Sequence, residues 1–543
     1  MMKLNRFKTI LPAVVLALSV FGFCGCADDL HVSNENPQQD SKLKPDELLN
    51  KIYGNMAMTG QTGPVGSSDL DDLDEGFSSM VRQMWNANEL TTDEAKCVWT
   101  DGGIPEYNEN AYTDGHTMLT ALYYRLYFGI TLANFYLNEV HAASGETSAK
   151  RAEARFMRAL YYYYLMDLYG NVPIYTKVTK NSVPQSTRAE VFAYIEKELK
   201  AVLGETADDN ADVLNDKSTT YGRADKVAAE MLLARLYLNA QVYTGTAQWE
   251  KAKEYAQKVI DSPYKLCTTP KNGYSAFQLL FMGDNDTNGA QSEIILPVLQ
   301  DGDKTQTWGG SLFLVAAATD EDLAKSYPTG TSEKWGGNRA TKQFAEKFGL
   351  TDAKVASAPT PKEVVKVAKD DRALFFTKGH TMSCEDKSSF NSGFAYVKFL
   401  NIHADGTAPH HTQFVDTDFP MFRVAEAYLT WAEADARLNG GRCSADGIAK
   451  INLLRTRANA NTIVGSFNLN DLCDEWSREF AYEGMRRPTL VRFGKFGGQS
   501  DYTWQGMGGN YTNGTSFDAH FNVFAIPAKV INLGGMKQND GYK

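Results

Sequence analysis

The sequence is poor in the residues that build covalent staples and catalytic centres. Of its seven cysteines, Cys24 and Cys26 fall in an N-terminal leader, and Cys97, Cys267, Cys384, Cys443 and Cys473 are scattered, odd in number and never in a C-x-x-C pair. Buried thiols are expected, not a disulfide framework or a cysteine metal site. Positive charge is outnumbered: 55 Lys and Arg face 66 Asp and Glu, the net charge is −11 and no basic stripe occurs. That excludes nucleic acid as a partner, because a phosphate backbone needs such a stripe. There is no H-E-x-x-H, no G-x-S-x-G and no phosphate- or dinucleotide-binding glycine loop. His410-His411 is an isolated pair in a loop. The acid run Asp69–Glu75 is the only evident source of the paired carboxylates a glycosidase needs, and such a run reads first as a solvated face.

The first residues form a targeting segment. Lys3, Arg6 and Lys8 precede an apolar run, Ile10–Phe23, too short and wrongly flanked to span a membrane. Phe23-Cys24-Gly25-Cys26 resembles a lipobox, so residues 1–25 are expected to be a signal peptide and Cys26 the lipidated residue. A triacylated cysteine anchors stably where a single chain would not. Residues 26–44 are polar and read as a tether, with Ala27-Asp28-Asp29 placing acid directly after the anchor.

From Pro45 onward the chain is dominated by amphipathic helices. Leu119, Leu122, Leu126, Ile130, Ala133, Leu137 and Val140 recur at spacings of three and four and predict a helix over 117–140. Lys150–Lys177 follows, KRAEARFMRALYYYYLMDLYGNVPIYTK, with Phe156, Ala159, Leu160 and Tyr163 on one face, Arg151, Arg155 and Arg158 beside them, and Gly170 at the C-cap. Further helices are predicted over 188–203, 222–240, 248–260, 422–438 and 445–458. The pairs resemble tetratricopeptide units. The expected fold is therefore mostly α: a tetratricopeptide-like scaffold of helical hairpins. Between about 265 and 420, Gly, Asn, Thr and Asp rise and helical runs shorten. That stretch predicts long irregular loop excursions, the usual place for a ligand site.

Four motifs in register resemble the SusD/RagB family of surface glycan-binding lipoproteins of Bacteroidetes. They are RAEARFMRA with the Tyr run and YGNVP; FRVAEAYLTWAEADARLNG at 422–440; DEWSREFAYEGMRRPTLVRFGK at 474–495; and FAIPAKVIN at 524–532. Arg487 stands where that pattern has Trp, and Thr489 where it has Asp. The resemblance implies one SusD-like domain over 45–543. It also implies a cell-surface location at the outer membrane, no enzymatic activity, and work with a TonB-dependent, SusC-like porin. Glu479, Glu483, Arg478, Arg486 and Arg492 of the third motif are expected to form a partly buried ion network joining it to the Arg151–Arg158 stripe.

Three tryptophans lie in polar, glycine-containing surroundings: Trp99 in CVWTDGG, Trp308 in TQTWGGS and Trp335 in SEKWGGN. Core tryptophans usually sit in apolar periodic runs, so these three are expected to offer ring faces on which sugars stack. Resemblance to the family's starch-binding member implies that they form an arc following an α-1,4-glucan. Asp74 and Arg82 are implied as polar contacts and Asp101 stands near a further one. The middle aromatic, Tyr in that member, is Trp308 here. The expected ligand is starch or malto-oligosaccharide; another glycan and a surface glycosidase are the alternatives. No cofactor is expected, except that Asp284-Asn285-Asp286-Thr287-Asn288-Gly289 has the alternating oxygens of half a calcium loop. With Glu293 nearby, Asp284, Asp286 and Asn288 are candidate ligands for a structural calcium, the alternative being a polar turn.

Overall fold

The computed structural model describes residues 44–60, 62–70, 73–140, 145–206, 212–498 and 501–542. The expected signal peptide, Cys26 and all but the last residue of the tether lie outside the described residues.

Helix Ser148–Tyr169 begins where the Thr147 hydroxyl accepts the Lys150 N–H and ends at Gly170, whose φ of 73° suits a residue without Cβ. Sequence periodicity predicted one buried face. The structure instead buries every residue from Ala152 to Tyr169. Helix Thr117–Glu139, helix Arg188–Val202 and helix Pro45–Gly54 all pack around it. Arg155 and Arg158 become buried in the process, and both donate to the Glu198 carboxylate at 2.9 and 2.7 Å. The tyrosine run survives burial because its hydroxyls find partners: Tyr161 donates to the Ile52 carbonyl at 2.6 Å and Tyr162 to the Tyr175 carbonyl at 3.1 Å.

The hairpins stack in chain order. Arg188–Val202 packs on Lys226–Leu238, that helix on Trp249–Asp261, and Val424–Leu438 on Ala445–Arg457. Trp249–Asp261 packs directly against Val424–Leu438. The intervening excursion therefore leaves the scaffold and returns without interrupting it. Its neck is an antiparallel pair, Ile294–Val298 with Phe419–Arg423, whose register shifts around Pro297. Proline cannot donate to a ladder and is confined to such irregular places. Inside the excursion the helices are short, as in Gly310–Ala317 and Pro361–Ala368.

The joint between excursion and scaffold is a buried ion network. Arg423 meets Glu479, Glu483 and Glu293 at 2.6, 2.7 and 3.1 Å, and Arg457 meets Glu293 at 3.0 Å and also pairs with Glu479. Arg372 reaches Glu475 and Glu479 at 2.9 and 3.2 Å, and Lys398 reaches Glu483 at 2.7 Å. The expected network thus exists around Glu479 and Glu483, but with different partners. The arginines of 151–158 are already engaged by Glu146, Glu198 and Asp212. The two hallmark stretches are linked elsewhere: Arg487 pairs with Asp167 of the central helix. The five cysteines outside the leader are free and buried, as expected.

Candidate functional site

An open cavity of about 540 Å³ is lined by Asp74, Gly76, Phe77, Arg82, Trp99, Asp101, Trp308 and Trp335. The six residues singled out in the sequence all line it, although they come from four separate segments.

A long-range ladder brings two of the rings together. Strand Ala95–Cys97 pairs antiparallel with Asn338–Ala340, and the Val98 N–H extends the pairing to the Gly337 carbonyl at 3.1 Å. Trp99 and Trp335 flank the end of this ladder. A Cβ on Gly337 would lie 2.3 Å from Trp99 Cε2, so only glycine lets the indole lie against that backbone. The Trp335 and Gly337 N–H groups donate to the Ala316 and Ala317 carbonyls at 2.9 and 2.8 Å. Those carbonyls close helix Gly310–Ala317, where the last turn has no intrahelical donors. Trp308 sits two residues before the same helix, on a turn whose Gly309 could not carry a Cβ without meeting Ser79 Oγ at 2.1 Å.

The rings form a curved strip. Trp335 is 6.2 Å from Trp99 with an interplanar angle of 57°, and 6.2 Å from Trp308 with an angle of 53°. Trp335 is therefore the middle ring in space, where chain order had put Trp308. Each indole N–H already has a partner: Trp99 donates to the Trp335 carbonyl at 3.3 Å, Trp335 to Glu333 Oε2 at 2.6 Å and Trp308 to the Pro64 carbonyl at 2.9 Å. Phe414 backs Trp308 at 5.2 Å and Phe313 backs Trp99 at 6.2 Å. The edges are held by the protein, and what remains for a ligand is ring face.

Arg82 projects from helix Met80–Trp85, whose Ser79 caps the N-terminus. Its guanidinium donates to the Gly76 carbonyl at 2.6 Å and lies 4.8 Å from the Phe313 ring and 5.7 and 5.8 Å from Trp99 and Trp335. Burial lowers its pKa to about 10, so it stays charged at neutral pH and supplies a fixed donor beside the rings. Asp74 is exposed and accepts the Gly76 N–H at 2.7 Å. Asp101, ahead of Gly102 and Gly103, is exposed as well. Phe77, in DEGFSS, lines the cavity too. The polar, glycine-containing context that marked the tryptophans would have marked it, had that context been applied beyond tryptophan.

The four candidate calcium ligands do not gather. Glu293 is fully buried at the joint between Arg423 and Arg457, and it also accepts the Cys267 N–H at 2.9 Å. A carboxylate already matched by two guanidiniums is not available to a cation. Asp284 accepts Asn288 Nδ2 at 3.0 Å and the Ala404 N–H at 2.9 Å, while Asn288 Oδ1 accepts the Ala290 N–H at 2.9 Å. Among the described residues Asp284, Asp286 and Glu293 do not converge. The stretch is a hydrogen-bonded turn, without the four-ligand arrangement the spacing predicted.

Comparison with known proteins gives the family. The model of the SusD family matches residues 342–542, and one described as starch-binding and associating with the outer membrane matches residues 28–238. The chain is 37% identical over 575 aligned residues, covering all of both chains, to the starch-binding protein SusD of Bacteroides thetaiotaomicron. Among solved structures it resembles surface glycan-binding protein A from Bacteroides fluxus, with a TM-score of 0.65, 18% identity, and 92% and 99% of the two chains covered. The same-named protein of Bacteroides thetaiotaomicron, solved with laminarihexaose, gives a TM-score of 0.64 at 17% identity, covering 91% and 98%. At such identities the likeness concerns the fold; the full-length identity carries the relationship. The chain belongs to the SusD family.

Proposed function

We propose that this protein captures starch and malto-oligosaccharides on the cell surface by stacking glucose rings on Trp99, Trp335 and Trp308, with Asp74, Arg82 and Asp101 holding sugar hydroxyls. The observation that carries the reading is the turn of more than 50° between successive indole planes at equal 6.2 Å steps. A coiled α-1,4-glucan can touch all three faces, whereas a flat β-1,4 chain cannot. Each stacked ring adds about 1 kcal/mol beyond area burial. After ordering costs, three such contacts support millimolar to micromolar affinity.

The same reading makes residues 45–543 one binding unit, tethered through lipidated Cys26 to the outer membrane and serving a TonB-dependent, SusC-like porin. It hydrolyses nothing. Support for the anchor is the lipobox at residues 23–26; support for the location is the family description. The second reading, a different glycan, is supported by structurally similar proteins whose names include laminarin or laminarihexaose.

Affinity electrophoresis separates the readings. Retardation on amylopectin, and on pullulan with its maltotriose units, is expected and lost in Trp308→Ala, with weaker or no retardation on dextran, levan and laminarin. Wild-type protein running freely on amylopectin would overturn the starch reading. Release of reducing ends from starch would overturn the non-catalytic one.

A further inference from the structure

Behind the arc lies a cluster that the glycan reading leaves unused. Asp416 is buried, with a side chain 5% exposed. Its Oδ2 lies 3.1 Å from His403 Nε2, its Oδ1 lies 3.0 Å from His410 Nδ1, and it also accepts the Gly302 and His410 N–H groups at 2.8 and 2.9 Å. Among the described residues no lysine or arginine lies within ion-pair distance of it, unlike Glu293, Glu479 and Glu483 at the joint. A second carboxylate converges on the same point: ligand atoms of Asp301, His410 and Asp416 all lie within 4.8 Å of one another. Two acids and an imidazole meet there, and the buried one of the two acids, Asp416, has no lysine or arginine beside it; a divalent ion would complete such an arrangement.

We propose that Asp301, His410 and Asp416 form a site for a transition-type divalent cation of the zinc class, with His403 positioning Asp416. Imidazole together with carboxylate selects zinc-like ions over calcium or magnesium, which prefer all-oxygen sets. Bonds of about 2.0–2.2 Å put tetrahedral neighbours about 3.3–3.6 Å apart, so the 3.0 Å between His410 Nδ1 and Asp416 Oδ1 needs only a slight opening. His410 has a side chain 59% exposed, which leaves an entry path and an open fourth position. His403 is oriented from its other side by Thr407 Oγ1 at 2.8 Å from Nδ1, the arrangement that fixes a ring supporting a metal ligand. Lys304 pairs with Asp301 at 2.8 Å but is 81% exposed, and an exposed pair of this kind yields readily. His411 does not join the converging group, and its Nδ1 accepts the Gln413 and Phe414 N–H groups.

The ion would clip two loops that hold the arc. Asp301 lies on the segment leading to Trp308. His410 and Asp416 flank Phe414, which packs on Trp308, and Gln413, whose amide donates to Glu333 Oε1 at 2.8 Å. Glu333 also holds the Trp335 indole. Gly302 permits the contact, since a Cβ there would lie 2.8 Å from His411 Cβ. Only this consequence for the arc rests on the glycan reading; the metal site stands by itself.

The test is equilibrium dialysis of the metal-stripped full chain against Zn²⁺, with Co²⁺ absorption as the spectroscopic readout. One equivalent of Zn²⁺ is expected, not displaced by millimolar Ca²⁺ or Mg²⁺. Binding should fall more than tenfold in His410→Ala, an exposed position that leaves the fold intact, and about 10- to 100-fold in His403→Gln. No Zn²⁺ uptake by the wild type, uptake unchanged in His410→Ala, or preference for Ca²⁺ would each overturn the site. Amylopectin retardation with and without Zn²⁺ then reads the clip separately: retardation strengthened by Zn²⁺ in the wild type but not in His410→Ala supports it, and identical retardation overturns the clip alone.

Discussion

At the joint, Glu293, Glu479 and Glu483 are matched with Arg372, Lys398, Arg423 and Arg457, all of them buried. On the arc, three indoles have every N–H engaged by the protein yet remain only half-buried. Both regions are assembled from residues far apart in the chain, and both need many hydrogen bonds. They differ in what is left over. The joint leaves no buried charge without an opposite partner, so its contribution is to hold the excursion on the scaffold. The arc leaves apolar faces uncovered, and a protein keeps such surface open at a binding site. Mutations in the two places should therefore separate: stability lost at the joint, affinity lost at the arc.

The sharpest break is Glu483→Ala. It strands Lys398 and one side of Arg423 in a dry interior, and losing one member of a buried network costs about 3–5 kcal/mol. Denaturant melts should show that loss while the protein still folded is retarded on amylopectin as before. An unchanged melting temperature would mean the joint holds nothing.

Acid should weaken the same region. Burial alone would raise the pKa of Glu479, but Arg457, Arg423 and Arg372 outweigh it and bring the carboxyl to about 2. A folded-state pKa below the unfolded value means that the stabilisation is complete above about pH 4.5 and fades as pH falls toward 2, a contribution of about 3 kcal/mol. Melting temperature measured from pH 6 downward should fall through that window. In Glu479→Gln the part due to this carboxyl should be absent.

On the arc the middle ring matters most. Trp335→Ala removes the face that neighbours both others, and roughly tenfold of affinity should go with it, with a smaller change in melting temperature than Glu483→Ala. Gly337→Ala reaches a similar end without deleting an aromatic. The added methyl, built 2.3 Å from Trp99 Cε2, must push that ring out of line, and titration with malto-oligosaccharide should detect a loss of the same order. Binding intact in Gly337→Ala would mean that Trp99 is not held where the ligand needs it.

How much of this was readable beforehand follows the same division. Helix Ser148–Tyr169, its cap at Gly170, the stacked hairpins and the excursion after about residue 265 are local features, written in spacing and capping residues. The tryptophans of the arc were found by their polar, glycine-containing context, which also surrounds Trp504 in YTWQGMGGN. Yet Trp504 is fully buried, stacked on Phe496 with Phe517 at its edge. Context reports the local backbone and not what distant segments bring to cover a ring. The order of the arc and the fate of Glu293 were hidden for the same reason. One depends on a ladder joining residue 97 to residue 338, the other on arginines some 130 and 160 residues away.

The finest test of the arc is Trp308→Tyr. Tyrosine keeps an aromatic face but loses the indole N–H that holds the Pro64 carbonyl at 2.9 Å. If the face carries the binding, affinity should drop only two- to threefold, about 0.5 kcal/mol, against about fivefold for Trp308→Ala. If instead the N–H matters by fixing the segment around Pro64 against the ring, tyrosine should behave like alanine, because a net hydrogen bond of about 1 kcal/mol is missing in both. Titrating both variants with malto-oligosaccharide distinguishes a surface that binds by its shape from one that binds because its rim is pinned. The backing of Trp308 by Phe414 at 5.2 Å, which a tyrosine ring would keep, favours the first outcome.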